Sequence, residues 1–261
     1  MKQHINPCLP GLLLIFLMCL SGAGQAQTFT PKYVSMSTNT KAYYEYLPEG
    51  YNPTGTTTYS LILFMTGIGE FGDGTTSTTY GLPKVLKHGI PKLINEGVFP
   101  KSFTAGGATH RFIVITPQWS AKIKPTPADM NAVLDYIVSH YKVNLKRIYL
   151  TGLSYGGGLC FAFVGNNSTY ANRIAAIVPI AAPLPEGGYA TIYSRSRVIA
   201  AGNIPVWATH NSGDTPDSAS RTIAYINYIN QAPAPNPLAR KTIFTAGGHD
   251  AWTKTYNFDF R

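Results

Sequence analysis

The segment Ile148-Tyr-Leu-Thr-Gly152-Leu-Ser154-Tyr-Gly156-Gly-Gly158 constrains this chain more than any other stretch. An apolar run, Ile148 to Leu150, leads straight into a Gly-x-Ser-x-Gly pattern. Small and apolar residues from Gly157 to Val164 follow and can form a helix. The pattern alone is common; its meaning comes from the order strand, sharp turn, helix. Such a turn drives its central residue into a strained backbone conformation and projects the hydroxyl from the top of a sheet. Glycine is needed on both sides, because a Cβ there would strike the neighbouring strand or the helix start. Ser154 is therefore the candidate nucleophile. The alternative is an ordinary glycine turn between a strand and a helix.

The rest of the chain alternates in the same way. Lys41–Leu47 alternates polar and apolar residues, as an antiparallel edge strand does. Leu61–Met65 is a continuous apolar run, suited to a strand buried on both faces, and it ends in the glycine-rich loop Thr66–Gly72. Leu82 to Ile94 can be helical, with a break or kink at Gly89-Ile-Pro91. Phe112–Ile115 is the next buried strand, with Pro117 expected to stop it. Thr126-Pro127-Ala-Asp129 opens a helix: Thr126 can cap, Pro127 fits the first turn and Asp129 suits the positive end. Met130, Val133, Leu134, Ile137, Val138 and Tyr141 follow on one face. Arg147–Thr151, Ile174–Ala181, Pro205–His210 and Lys241–Thr245 read as further strands, and Ser218 to Asn230 as a helix. The expected fold class is α/β: a mainly parallel sheet covered by helices on both faces. Ligands then bind beyond the carboxyl ends of the strands.

The first residues carry a different signature. Lys2 and His4 precede an apolar block from Leu9 to Leu20, then small residues up to Gly24-Gln25-Ala26. This predicts a secretory signal peptide over 1–26 and an α/β catalytic domain over 27–261. The apolar block is too short for a comfortable membrane span, so no stable membrane insertion is expected. Lipoprotein anchoring on Cys19 is disfavoured by the large Met18 before it. Cys8 and Cys19 leave with the leader, so only Cys160 stays and no internal disulfide forms. Cys160 reads as a small core filler. The 21 Lys and Arg against 12 Asp and Glu give a net charge of +9. They are scattered and accompanied by no nucleic-acid-binding motif, which argues against a nucleic-acid partner. Such a charge is compatible with no more than a mild preference for anionic surfaces or acidic polymers; the expected partner is a small-molecule or polysaccharide ester substrate.

A serine hydroxyl needs a base. Two histidines lie downstream of Ser154, His210 and His249. His249 follows a strand and a Gly-Gly pair, so a loop can present it as general base; His210 ends a strand and reads as a support for the acid loop. The order Ser, acid, His leaves Glu186, Asp214 and Asp217. Asp214 is favoured. Asp217, near a helix start, reads first as a cap and second as the alternative acid, and Glu186 is a distant third. Asp250 reads as a cap for a helix starting at Ala251. Oxyanion donors are expected from the backbone N–H of Tyr155 and of Ile68 in the loop after Met65. Glu70 and Asp73 would brace that loop; a phosphate-binding reading of it fails for want of a P-loop lysine. Trp119 and Trp252 are candidates for lining the cleft, with core packing as the alternative.

With these pieces in place, the chain resembles the secreted α/β-hydrolase esterases of the phospholipase/carboxylesterase and polyhydroxybutyrate-depolymerase/feruloyl-esterase type. The resemblance runs collinearly through Leu61–Gly72, Pro117–Trp119, Arg147–Gly157, Ala176–Ile180, Pro205–Asp214 and Gly247–Trp252. It implies Ser154 as nucleophile, His249 as base, Asp214 as acid, and no metal or organic cofactor. Two features depart from the family pattern. Thr66-Gly67 stands where relatives commonly carry His-Gly, and Thr215-Pro216-Asp217 follows the acid where a hydrophobic Val-Pro pair is usual.

The expectation is a serine hydrolase of carboxylic esters, exported to the periplasm or the medium. Acetyl or feruloyl esters on polysaccharides are its expected substrates. Lipid esters or polyesters are the nearest alternative, then a peptidase or acyltransferase on the same residues. Outside catalysis, the rival is a carbohydrate-binding relative that has lost activity.

Overall fold

The computed structural model describes residues 26–257; the expected leader, apart from Ala26 at its end, lies outside the described residues. Ten strands are formed: β1 (Thr28–Lys32), β2 (Thr40–Leu47), β3 (Tyr59–Met65), β4 (Phe103–Ala105), β5 (Ala108–His110), β6 (Phe112–Trp119), β7 (Val143–Leu153), β8 (Ala176–Ile180), β9 (Trp207–Asn211) and β10 (Arg240–Phe244). The helices are α1 (Gly89–Asn95), α2 (Pro127–His140), α3 (Tyr155–Val164), α4 (Ser168–Ala171), α5 (Gly188–Ala201), α6 (Ser220–Ile229) and α7 (Trp252–Thr255). Eight strands make one sheet in the order β1-β2-β6-β3-β7-β8-β9-β10, and β4 with β5 forms a separate hairpin. The pairs β1–β2 and β2–β6 are antiparallel. From β6 to β10 every neighbouring pair is parallel.

The continuous apolar runs of β3 and β6 follow from burial on both faces. Leu61, Leu63, Met65, Ile113 and Ile115 point into one core, where α2, α3, α5 and α6 pack. Their neighbours Ile62, Phe64, Phe112 and Val114 point into a second core beneath α1 and α7. The period of two along each strand thus fills both layers. The expected start of α2 is formed: Thr126 Oγ1 accepts from Asp129 N–H at 3.2 Å, and Asp129 Oδ2 accepts from Thr126 N–H at 2.8 Å.

Four details differ from the sequence expectation. β2 is not the edge strand, because β1 pairs along its outer side. Pro117 does not stop β6: it pairs opposite Tyr43 of β2, at a point beyond the last β3 partner, Ile115. Its missing N–H therefore breaks no ladder on the β3 side. The segment 82–94 splits into a 3-10 helix, Leu82–Lys87, and α1, with His88 between them, Gly89 at φ +64 opening α1 and Pro91 in its first turn. Finally, α5 forms without a side-chain cap, from Gly187 in the left-handed region, which is why no start signal marked it.

Candidate active site

Ser154 sits where β7 ends and α3 begins, with φ 53 and ψ −122. That conformation is strained for a residue with a side chain, by about 1–3 kcal/mol. The surrounding packing holds it. A Cβ on Gly152 would lie 2.5 Å from the Met65 carbonyl oxygen, and one on Gly156 would lie 2.1 Å from it. A Cβ on Gly157 would approach the Ile180 carbonyl oxygen to 2.5 Å. The glycines let helix and strands close on the turn, and Ser154 N–H donates to Ile180 O at 2.9 Å.

Two more loops at the same end of the sheet bring their side chains to this serine. His249 follows β10, and its Nε2 lies 2.8 Å from Ser154 Oγ. Its Nδ1 lies 2.7 Å from Asp214 Oδ2, on the loop after β9. The two loops meet backbone to backbone. A Cβ on Gly213 would strike the Gly247 carbonyl oxygen at 2.5 Å, and one on Gly247 would strike the Asn211 amide at 2.8 Å. Asn211 Nδ2 donates to Gly248 O at 2.8 Å, and Ala246 N–H donates to Ser212 Oγ at 3.0 Å. These contacts give the Gly-Gly pair before His249 its physical reason.

Asp214 is buried and engaged on both oxygens. Oδ1 accepts from Asp217 N–H at 3.1 Å, and Oδ2 also lies 3.0 Å from His210 Nε2. His210 Nδ1 is 2.8 Å from Thr222 Oγ1. Burial pushes the His210 imidazole below its ordinary range, against the opposing pull of Asp214. A neutral ring accepts from Thr222 at Nδ1 and shares its one Nε2–H between Asp214 Oδ2 and the Asp217 carbonyl oxygen at 2.6 Å. Asp217 takes another place: it pairs with Arg221 one helical turn on, and its Oδ2 stands 3.9 Å from His249 Nε2. That is the nitrogen facing the serine, not the one an orienting acid would hold. The i,i+4 spacing of Asp217 and Arg221 carries this pairing in sequence, whereas Thr222 offered no signal. Asp250 accepts from Thr253 N–H at 2.9 Å and so caps α7. Glu186 accepts from Thr191 Oγ1 through its backbone carbonyl, at the head of α5.

The loop after β3 borders the serine directly. A Cβ on Gly67 would sit 3.6 Å from Ser154 Cβ. Ile68 opens the 3-10 turn Ile68–Glu70 and Tyr155 opens α3, positions whose N–H groups have no partner within the helix. Glu70 is buried behind them. Its Oε1 lies 3.8 Å from His88 Nε2. Burial pushes its pKa up to about 7, moderated by the Gly67 N–H, Lys87 and Lys84. Asp73 accepts from Thr75 N–H at 3.0 Å and from its hydroxyl at 2.7 Å. Gln118 ties the loop down, donating from Nε2 to Glu70 O and Gly81 O while Oε1 accepts from Gly74 N–H. Thr66 is fully buried, and its Oγ1 has no hydrogen-bond partner among the described residues.

The two tryptophans do not line an open cleft. Trp119 is 0% exposed and belongs to the core beside Met65 and Phe71. It points inward because β6 continues through Pro117 to its position. Trp252 is 7% exposed. Its ring stands edge-on to His249 at 5.4 Å between centroids and meets His88 at the same distance on the other side. It packs the imidazole in place. Cys160 is fully buried in the core, and burial pushes its thiol well above the ordinary range. Among the described residues, no group of three or more His, Cys, Asp or Glu side chains is arranged to hold a metal ion.

No family model and no curated protein sequence matches the chain. Solved structures do. A thermostable esterase superposes with a TM-score of 0.59 at 19% identity, over 88% of this chain and 60% of that one. The chain thus spans about 60% of that esterase's length. A ferulic acid esterase superposes at 0.58 and 15% identity, over 88% of this chain and 94% of its own. The feruloyl esterase module from Clostridium thermocellum, complexed with sinapinate, gives 0.56 and 17%, over 86% and 82%. These likenesses show the fold alone: the α/β-hydrolase fold, with a mainly parallel sheet and helices on both faces.

Proposed function

We propose that this chain is an exported serine hydrolase of carboxylic esters. The observation that carries the reading is the unbroken hydrogen-bond chain from Ser154 Oγ through His249 to Asp214, with steps of 2.8 and 2.7 Å. In the reaction, Ser154 attacks the ester carbonyl while His249 Nε2 takes its proton. Asp214 holds Nδ1–H and so fixes the tautomer that leaves Nε2 free to accept. The N–H groups of Tyr155 and Ile68 meet the oxyanion as it forms. His249 returns the proton to the departing alcohol. Water, deprotonated by the same nitrogen, then frees the acid from Ser154.

Support for an ester comes from the solved structures the chain is similar to, among them esterases, feruloyl esterases and a carboxylesterase alongside one acylaminoacyl peptidase. Acetyl or feruloyl esters on polysaccharides are the substrates this reading favours. Export rests on the basic start, apolar block and small-residue cleavage candidate of residues 1–26. The test is hydrolysis of a p-nitrophenyl ester series, acetate to palmitate, by the mature protein and its Ser154→Ala variant. Turnover should fall with acyl length, and the variant should lose several orders of magnitude, about 10⁴-fold or more. A folded Ser154→Ala protein with near-normal turnover would overturn the mechanism.

A further inference from the structure

A groove of about 410 Å³ begins at the same loop. Its walls include Ile68, Phe71, Tyr80 and the segment Ser120–Lys124. Ile68 links it to the serine: the preceding residue, Gly67, is the one whose Cβ position lies 3.6 Å from Ser154 Cβ. Adjacent Cα atoms are about 3.8 Å apart, so a molecule lying along the groove reaches the serine within a residue or two of chain.

The groove is cationic. Lys84, Lys122 and Lys124 line it, and no carboxylate does. Lys84 Nζ donates one hydrogen bond to Phe71 O at 2.9 Å, which leaves two of its three donors for a ligand. The exposed ring of Tyr80, 60% accessible, lies 5.5 Å from the same ammonium. A second groove of about 540 Å³ shares Tyr80, Ser120, Ala121 and Lys122 with the first and is also walled by Thr38, Asn39, Lys41 and Gln118, with Asp73 as its single acid. Asp73 is already engaged by Thr75. Asn39 is buried in that wall, and its Nδ2 has no hydrogen-bond partner among the described residues.

We propose that this pair of grooves binds the carrier of the ester, and that the carrier is a uronate-bearing polysaccharide. The lysines meet the carboxylates, and Tyr80 offers a flat apolar face to a sugar ring, as exposed aromatic side chains do. Thr38, Asn39 and Ser120 in the outer groove offer partners to sugar hydroxyls, and comparison with lipid vesicles separates an anionic lipid from a polymer. Two adjoining grooves of about 410 and 540 Å³ give room for more than one sugar unit, which suits a polymer rather than a single small acid. The proposal rests on Ser154 being the esterase nucleophile, because the groove gains its role from lying beside that residue.

The experiment separates the two. Binding of unesterified polygalacturonate is measured by affinity electrophoresis for the mature protein, Ser154→Ala and a Lys122→Gln/Lys124→Gln double variant. Neutral xylan and phosphatidylglycerol vesicles serve as comparisons. Acetate release from acetylated polygalacturonate and acetylated xylan is then compared, with p-nitrophenyl acetate as the reference ester. The expected result is salt-sensitive polygalacturonate binding that survives Ser154→Ala and weakens roughly 5-fold in the lysine double variant. The acetate-release ratio of acidic to neutral polymer should fall with it. Polygalacturonate binding unchanged in the lysine variant would overturn the groove assignment, as would vesicle binding without polymer binding. Serine-dependent p-nitrophenyl acetate hydrolysis with no polyuronate preference would sink the groove and leave the esterase standing. Loss of all serine-dependent hydrolysis with polymer binding intact would do the reverse.

Discussion

His210 Nε2 lies 3.0 Å from the Asp214 oxygen that His249 Nδ1 approaches to 2.7 Å. One carboxylate oxygen therefore serves two imidazoles, the inner one fully buried and the outer one open to the site. The inner ring is anchored through its other nitrogen by Thr222, so it fixes where Asp214 points and hence where His249 points. His210 touches no reacting atom. It is a positioning residue.

Replacing His210 by Phe keeps a ring of similar size and removes the donor. The buried carboxylate then loses a partner, at a cost of about 1–3 kcal/mol in stability. Turnover on p-nitrophenyl acetate should fall roughly 10-fold with KM little changed, because His249 is held less firmly. Denaturant melts and steady-state kinetics on the same preparation check both halves. An unaltered kcat would show that Asp214 needs no inner support.

Asp214→Asn and Asp217→Asn should differ sharply. An amide at position 214 can offer N–H to His249 Nδ1, which favours the wrong tautomer and costs about 10⁴ in kcat. Asp217 stands 3.9 Å from the opposite nitrogen and is paired with Arg221. Its exposed-side replacement should cost no more than about 5-fold. Equal losses in both variants would contradict the assignment of Asp214 as the orienting acid.

Glu70 links the loop to pH. Burial raises its pKa from 4.5 to about 7, so the folded protein holds the proton more tightly than the unfolded chain. Stability from this group is then fullest below pH 4.5 and is lost as pH rises toward 7. The loss is about 3 kcal/mol at about 1.4 kcal/mol per pKa unit. Glu70→Gln carries no charge to bury. Its melting temperature relative to the natural protein should therefore rise between pH 5 and pH 8. A constant difference across that range would show that the carboxylate is not buried as described.

The glycines around Ser154 should rank by what a methyl group meets. At Gly156 it would meet Met65 O at 2.1 Å and Thr66 O at 2.6 Å, both backbone atoms that cannot yield without moving β3. Gly156→Ala should fail to fold or lose about 3 kcal/mol or more. At Gly158 it would meet only the Pro183 ring at 3.1 Å. The helix-propensity gain of about 1 kcal/mol offsets that crowding, so Gly158→Ala should melt near the natural protein.

The sequence by itself determined whatever is written in local pattern. The apolar runs of β3, β6 and β7 mark strands buried on both faces. The glycines at 152 and 156 mark a turn that only a close approach of backbone could require. Thr126, Pro127 and Asp129 mark the start of α2. The order of Ser154, the acids and His249 narrowed the site to a few residues, because so few acids lie between serine and histidine. Tertiary structure decided everything that depends on which surfaces meet. Asp214 and His249 are brought together by contact between two loops, through Gly213 and Gly247, and no spacing in the chain encodes that contact. Trp119, which the sequence left open between cleft and core, turns inward because β6 runs on past Pro117, where β3 no longer pairs beside it. The lysine groove is likewise assembled from segments some 40 residues apart, Lys84 beside Lys122 and Lys124. Local preference fixes backbone shape within a few residues; a site between loops depends on long-range packing, which acts only once the sheet has formed.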